Sequence, residues 1–344
     1  MSMSSFLSVY IRELLQQCNR LSLLQLHRCF SYFCMVTVIF LSCDVLAQEE
    51  FVEADWLDDF AFQLAVSSKF HEVDFTDSDI NNSVLFLPNV AYVIQAVLFY
   101  KEQRLSLETD ALSDEGIDSG KGKSEYTNIE YSIFCGRNEY GVYYQRYKGF
   151  YIDGQQDAMG NYFVFDDLNT KRYGFEFKRY MDEPRMISVN NRYSRRYYEL
   201  PDVFWTLAYG LAFDVSYVNN VPSDPAILSQ INNSEFIFFN NIRLVTLSPF
   251  IGALGRYSKN DYFIEGGLDV GWGVQSQNYE LDGVEKKETT DSIFVAFLSS
   301  AGKWIPGYGV VGASMNVEGT STAAENSQFF ISDVEISLSY RIDF

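Results

Sequence analysis

The chain has 344 residues, 47% hydrophobic and 17% aromatic, with a formal charge of -20: material for a large core or for a barrel of about a dozen strands. Its 29 Phe and 24 Tyr stand against 2 His and 7 Pro, a usage that suits strands and surfaces with one apolar and one wet side. The acidic balance argues against nucleic acid as a partner, which needs clustered Lys and Arg, and the scarcity of His argues against His-based metal sites.

In chain order, Arg12, Arg20 and Arg28 precede an apolar run from Cys29 to Cys43, and Val45-Leu46-Ala47 offers a small-residue cleavage site. Basic flank, short apolar run and small-residue site are the signal-peptide pattern, so residues 1–47 are expected to be removed. The region before the apolar run is long, which fits a later start codon or an extended signal. Lipoprotein processing at Cys43 is the rival reading, but Phe40-Leu41-Ser42-Cys43 is a poor match to it; a retained membrane anchor is the other. Cleavage leaves Cys135 as the remaining Cys, so no internal disulfide framework is expected. Beyond residue 47 there is no run of about 18 apolar residues, hence no spanning helix.

From about residue 57 the pattern has period two. Candidate strands are 58–72, 86–108, 125–135, 139–153, 172–181, 185–195, 204–219, 235–246, 249–257, 261–275, 291–302, 306–318 and 328–344. In 206–217 Leu207, Tyr209, Leu211, Phe213, Val215 and Tyr217 share a face opposite Ala208, Gly210, Ala212, Asp214 and Ser216. In 263–274 Ile264, Leu268, Val270, Trp272 and Val274 oppose Glu265, Gly267, Asp269, Gly271 and Gly273. The last segment alternates likewise, with Asp333, Glu335 and Arg341 on its polar face. Large apolar residues on one face and small or acidic ones on the other fit a lipid-facing exterior and a polar lumen. These segments are longer than the roughly 5–6 residues usual in soluble sheets.

The expected fold is therefore all-β, an antiparallel up-and-down transmembrane β-barrel of about 12 strands (roughly 10–14), with 86–344 as the barrel and 48–85 as a periplasmic, plug or first-strand segment. Thirteen candidates are one too many for an even count with both ends in the periplasm. Either 58–72 lies outside the barrel, or 235–257 is one strand bulged near Pro249. Turn lengths favour the first repair: short turns at 136–138, 182–184, 258–261 and 301–306 face the periplasm, and longer polar stretches at 109–124, 154–171, 276–290 and 319–327 face out. That repair requires a long periplasmic connection at 220–234.

The final strand stops on its apolar face at Phe344, which is similar to the assembly signal of outer-membrane barrels and implies the barrel-assembly machinery as a partner, outer-membrane lipid as surroundings and the cell outer membrane of a Gram-negative bacterium as location. Leu87-Pro88-Asn89, the run Tyr143-Tyr144-Gln145-Arg146-Tyr147-Lys148-Gly149-Phe150-Tyr151 and the hairpin at Met181–Pro184 resemble a barrel-like family of exported bacterial proteins of unknown function. The resemblance covers roughly 85–344. It implies an outer-membrane barrel and carries over no activity, catalytic residue or cofactor.

Asp214, Glu265, Asp269, Glu335 and Arg341 are the candidate lumen residues. Tyr143, Tyr144, Arg146, Tyr147 and Lys148, with the basic cluster Arg192, Arg195 and Arg196, are candidates for headgroup or ligand contact; an aromatic girdle, a lumen-facing charge pair and a charged rim are the plainer readings. Gly149 is expected to let a neighbouring side chain pack close. After export the remaining His is His71, beside Ser67, Ser68 and Glu72, a thin basis for catalysis. The acidic stretch Asp74–Asn82 lacks the glycine and distal glutamate of a Ca²⁺ loop. No metal and no cofactor are expected. The function expected is structural or narrow passage of small solutes, with an enzyme acting on envelope lipids and a soluble secreted β-barrel binding protein as alternatives.

Overall fold

Alternation of bulky apolar with small or charged residues commits most of the described residues to strands. The computed structural model describes residues 60–77, 82–90, 92–100, 103–110, 119–156, 159–182, 203–221, 240–259, 261–281, 284–305, 308–324 and 327–343. The strands are β1 (Phe60–Asp77), β2 (Asn82–Leu87), β3 (Val93–Tyr100), β4 (Gln103–Asp110), β5 (Glu125–Cys135), β6 (Asn138–Gln156), β7 (Tyr162–Tyr180), β8 (Val203–Asn219), β9 (Asn240–Lys259), β10 (Tyr262–Leu281), β11 (Val284–Ile305), β12 (Gly309–Ala324) and β13 (Ser327–Asp343). All belong to one antiparallel sheet.

Twelve of them close a ring at the rim that holds Ala61 and Asp343. There β1 pairs with β3, the order then follows the sequence to β13, and β13 returns to β1 along its length, from Ala61↔Asp343 to Asp77↔Ser327. β2 is the exception. It pairs with the upper part of β1 and meets β6 through Phe86↔Ile152 and Leu87↔Tyr151. Beneath it β3, β4 and β5 reach only part of the barrel height, with 8, 8 and 11 residues. The wall thus narrows from twelve strands at the terminal rim to ten at the far rim.

The step has a local cause. Pro88 lacks the N–H that would continue the β2 ladder. The next residue is tied inward: Asn89 N donates to Ser124 Oγ (2.7 Å), Asn89 Nδ2 donates to the Gly122 carbonyl (2.8 Å), and Ser124 Oγ donates to the Gly149 carbonyl (2.6 Å). Gly149 has φ +82°, and a Cβ there would lie 2.2 Å from the Lys123 carbonyl oxygen. Its close neighbour is backbone rather than the side chain expected from the sequence.

Side-chain direction follows parity. On β8, Trp205, Leu207, Phe213 and their odd-numbered neighbours point outward, and Thr206, Ala208, Asp214 and Ser216 point in. β10 exposes Ile264, Leu268, Trp272 and Val274 and buries Glu265, Gln275 and Gln277. β13 exposes Ile336, Leu338 and Ile342 and buries Ser337 and Arg341. Apolar outside and charged inside is the polarity of a barrel that lies in lipid, the inverse of a soluble barrel. The fold is an antiparallel up-and-down transmembrane β-barrel.

Several sequence expectations change. Residues 60–72 of the candidate 58–72 do not lie outside the ring: they belong to β1, the strand on which β13 closes. The described part of 235–257, residues 240–257, is one strand, β9, with Pro249 opposite Leu211 of β8. On the β10 side the register is the same before and after Pro249, at Val274↔Leu247 and Gly271↔Phe250, so the proline leaves a gap and no bulge. With 249–257 no longer separate, the link from β8 to β9 falls at the far rim, and the long periplasmic connection at 220–234 is not needed. The stretch 86–108 holds a hairpin, β3 to β4, in place of one long strand. The stretches 276–290 and 319–327 are mostly strand, because β10, β11, β12 and β13 run on past the outer apolar band. Residues 1–59, the candidate strand 185–195 and Phe344 lie outside the described residues.

Gly149→Ala combines a left-handed φ with a backbone overlap, so it is expected to destabilise the barrel by at least about 1–3 kcal/mol. A drop in the urea midpoint of the refolded protein measures this, and Gly141→Ala, on the same strand with an ordinary φ, serves as the neutral comparison.

Candidate functional site

Inward parity on the ring collects the chain's buried charges in the lumen. The far half holds an apolar cluster, with Val73, Val84, Phe86, Phe150, Ile152, Leu168, Ile242 and Tyr279 among its buried members. Between this cluster and the terminal rim lies a cavity of about 410 Å³.

Its walls carry charges in small clusters. Lys69 of β1 bonds Glu108 of β4, lies 3.1 Å from Glu335 of β13 and donates to Tyr126 Oη (2.5 Å). Glu108 also accepts from Gln95 Nε2 (2.6 Å) and Tyr126 Oη (2.7 Å). Arg172 of β7 bonds Asp214 of β8 and reaches Glu318 of β12 at 2.5 Å, while Tyr143 also donates to Asp214. Lys178 of β7 lies 2.7 Å from Asp269 of β10 and 3.3 Å from Glu176. Arg104 meets Glu130 at 3.0 Å. In each of the first three clusters one cation is held between two carboxylates. Few such groups are tolerated inside a protein unless paired in this way.

His71 sits above these clusters. Its Nδ1 lies 2.9 Å from Asp333 Oδ1, its Nε2 lies 3.3 Å from Thr170 Oγ1, and its ring stacks on Tyr147 at 4.0 Å. Neither Ser67, Ser68 nor Glu72 is its hydrogen-bonding partner here. An acid, an imidazole and a hydroxyl are thus in line, but His71 is only 2% exposed and faces the apolar cluster, out of reach of lipid on the outer wall.

The five candidate lumen residues all sit on inward positions. Asp214, Asp269, Glu335 and Arg341 line the cavity, and Glu265 is buried near the rim, where it accepts from Ser300 Oγ (3.0 Å) with Arg256 3.9 Å away. The candidates for headgroup or ligand contact divide, and of them Tyr143 lines the cavity. Tyr143 and Tyr147 point inward and are spent on Asp214 and Asp333, so they cannot meet a headgroup. Tyr144, Arg146 and Lys148 point outward; Tyr144 packs on Tyr173 (5.0 Å), which packs on Tyr217 (6.3 Å), an aromatic row across three strands. Arg192, Arg195 and Arg196 lie outside the described residues, as does most of the Asp74–Asn82 stretch. Among the described residues no group of three or more His, Cys, Asp or Glu is placed to hold a metal ion.

Lys69, Glu108, Arg172, Lys178 and Glu318 were missed in the sequence. Parity on their strands was the available signal for direction, but nothing local signals partners from distant strands.

No family model matches the chain, and no curated protein does. Among solved structures the chain is similar in fold to the outer membrane protease OmpT from Escherichia coli (7% identity, 85% of this chain, 99% of that chain, TM-score 0.36). It is also similar to a bacterial polysaccharide outer membrane secretin (9% identity, 84% and 100%, TM-score 0.35) and to the P. putida toluene transporter TodX (6% identity, 83% and 90%, TM-score 0.28).

Removing a shared cation strands two carboxylates. Lys69→Met is expected to cost about 3–5 kcal/mol. The urea midpoint of the refolded barrel reads this, and Lys69→Met with Glu108→Gln and Glu335→Gln is expected to recover most of the loss.

Proposed function

We propose that the chain is an integral protein of a bacterial outer membrane whose lumen is closed to general solute passage and holds a small polar chamber. The inverted polarity carries this reading: buried Lys69, Glu108, Asp214 and Arg341 face in, while Leu64, Leu207, Ile251, Leu268 and Leu338 face out. On β10 the outward apolar positions run from Tyr262 to Val274. That is about 40 Å along the strand and about 30 Å of height at a tilt of ~40°, enough for the apolar band of an outer-membrane barrel.

Aromatics at the terminal rim support the same placement. Tyr100, Trp205, Tyr257, Tyr262, Tyr308 and Tyr340 are exposed near strand ends on that side, as a membrane–water belt requires. Closure of β13 on β1 fits folding by the barrel-assembly machinery with β13 as the strand it engages. Kinship with the barrel-like family of unknown function is part of this reading and rests on the sequence of the Leu87-Pro88-Asn89 junction and of the run Tyr143–Tyr151, which meet at Leu87↔Tyr151. The apolar cluster supports occlusion, and a wall of ten to twelve strands is well below the 16–18 of open porins.

The reading predicts heat-modifiable migration from outer-membrane fractions; recovery in the soluble fraction would sink it. Leu268→Arg is expected to cost about 2–4 kcal/mol in lipid, and Ser276→Arg, outward but beyond the apolar band, about 0–1 kcal/mol. In planar bilayers no large stable channel is expected, and a steady porin-like conductance would overturn the closed lumen.

A further inference from the structure

The outer face of β6–β9 carries a cross-strand row of cations toward the far rim. It reads Arg146, Lys171, Tyr217 and Arg243, through the pairs Arg146↔Lys171, Lys171↔Tyr217 and Tyr217↔Arg243. The row beneath it, toward the terminal rim, reads Tyr144, Tyr173, Val215 and Val245, again in direct register. On each of these four strands the upper row is therefore the first outward position beyond the apolar face. That is the height at which hydrocarbon gives way to headgroups.

The protein does not answer this charge. Arg146 and Lys171 stand directly opposite each other, an arrangement that costs stability when nothing negative lies between them. Among the described residues no carboxylate lies within ion-pairing distance of Arg146, Lys171 or Arg243, and Arg243 rests over the Tyr217 ring at 5.8 Å. Lys148, one outward place further along β6, is different, with Asp167 at 3.9 Å. The chain carries 46 Asp and Glu against 26 Lys and Arg, so three cations in register without an acid run against its composition. The adjoining sector lacks them: the first outward residue past the apolar face is Ser276 on β10 and Asp291 on β11.

The geometry also selects the occupant. Lys and Arg at the edge of hydrocarbon suit phosphate, which Arg grips through two parallel N–H bonds. Three strand spacings of ~4.8 Å put the backbones of Arg146 and Arg243 roughly 14 Å apart. One phosphate is narrower than that, so a headgroup with two phosphates matches the row better. Tyr144, Tyr173 and Tyr217, with ring centroids 5.0 and 6.3 Å apart, give an aromatic surface of mixed polarity beside it, suited to sugar rings and the first methylenes of acyl chains.

Resting on the reading as an outer-membrane barrel, in which the far rim meets the outer leaflet, we propose that this row binds a bisphosphorylated glycolipid of that leaflet. Its phosphates meet Arg146, Lys171 and Arg243, and its acyl chains lie along the apolar row beneath.

The test is native mass spectrometry of the full refolded chain in detergent, titrated with bisphosphorylated lipid A, with the same lipid stripped of both phosphates, and with pyrophosphate as the competitor. One tightly held lipid A per barrel is expected, with the stripped lipid at least about tenfold weaker and no displacement by pyrophosphate at equal concentration. Arg146→Gln and Lys171→Gln are each expected to weaken binding about fivefold, while Lys303→Gln, an exposed cation on the outer face at the terminal rim, leaves it unchanged. Heat-modifiable migration is read on every sample; if Lys171→Gln does not fold, Arg243→Gln carries the same expectation. Equal binding of the stripped lipid, displacement by pyrophosphate, an equal loss in Lys303→Gln, or no binding by a barrel that migrates as folded would overturn the proposal and leave the outer-membrane reading standing. Recovery of the protein only from the soluble fraction would remove that reading, and the lipid site with it.

Discussion

The pairing of β1 with β13 is the interaction on which the rest of the structure depends. A sheet edge exposes a row of N–H and C=O groups, and in lipid each unpaired group costs several kcal/mol. Closing the ring removes both edges at once. It also separates an inside from an outside, so the parity of each strand decides which residues meet hydrocarbon and which meet one another. Lys69 and His71 share their parity on β1 and are therefore both luminal.

Once inside, charges must be answered from other strands. Arg172 joins β7 to β8 and β12, and Lys178 joins β7 to β10. These links cross the lumen where it is not already filled by the apolar cluster, so packing holds the far half and ion pairing the half toward the terminal rim. Glycines make room on the wall: a Cβ at Gly174 would lie 2.1 Å from Tyr143, and one at Gly252 would lie 1.8 Å from Asp269 Oδ1. Two of the luminal acids or their partners occupy space that any larger residue would take.

Much of this was legible where one face is apolar and the other is not. The segments 206–217 and 263–274 and the last strand gave both strand and direction, and with them the inward placement of Asp214, Glu265, Asp269, Glu335 and Arg341. Legibility failed where hydrophobicity stopped alternating. Residues 276–281 and 284–290 are strand with polar groups on both faces, and period two vanishes from hydropathy there. It failed between β3 and β4, where the intervening sequence, Lys101-Glu102, has no Gly or Pro to separate two strands. The tyrosines of 143–151 were read as one group, although period two sends Tyr143 and Tyr147 in and Tyr144 out. Partner choice was the least legible: Lys69 and Glu335 are joined by the ring closure, and no sequence spacing records it.

The three short strands have a consequence for whatever surrounds the barrel. β3 and β4, at 8 residues each, rise about 26 Å along the strand and about 20 Å at a tilt of ~40°. Their outward residues Ile94, Leu98 and Leu107 present hydrocarbon over less height than Tyr262–Val274 does on the opposite side. Above them β2 completes the wall between β1 and β6, so the lipid on this side lies against two tiers of strand with a seam between them, where β10 presents one unbroken strand.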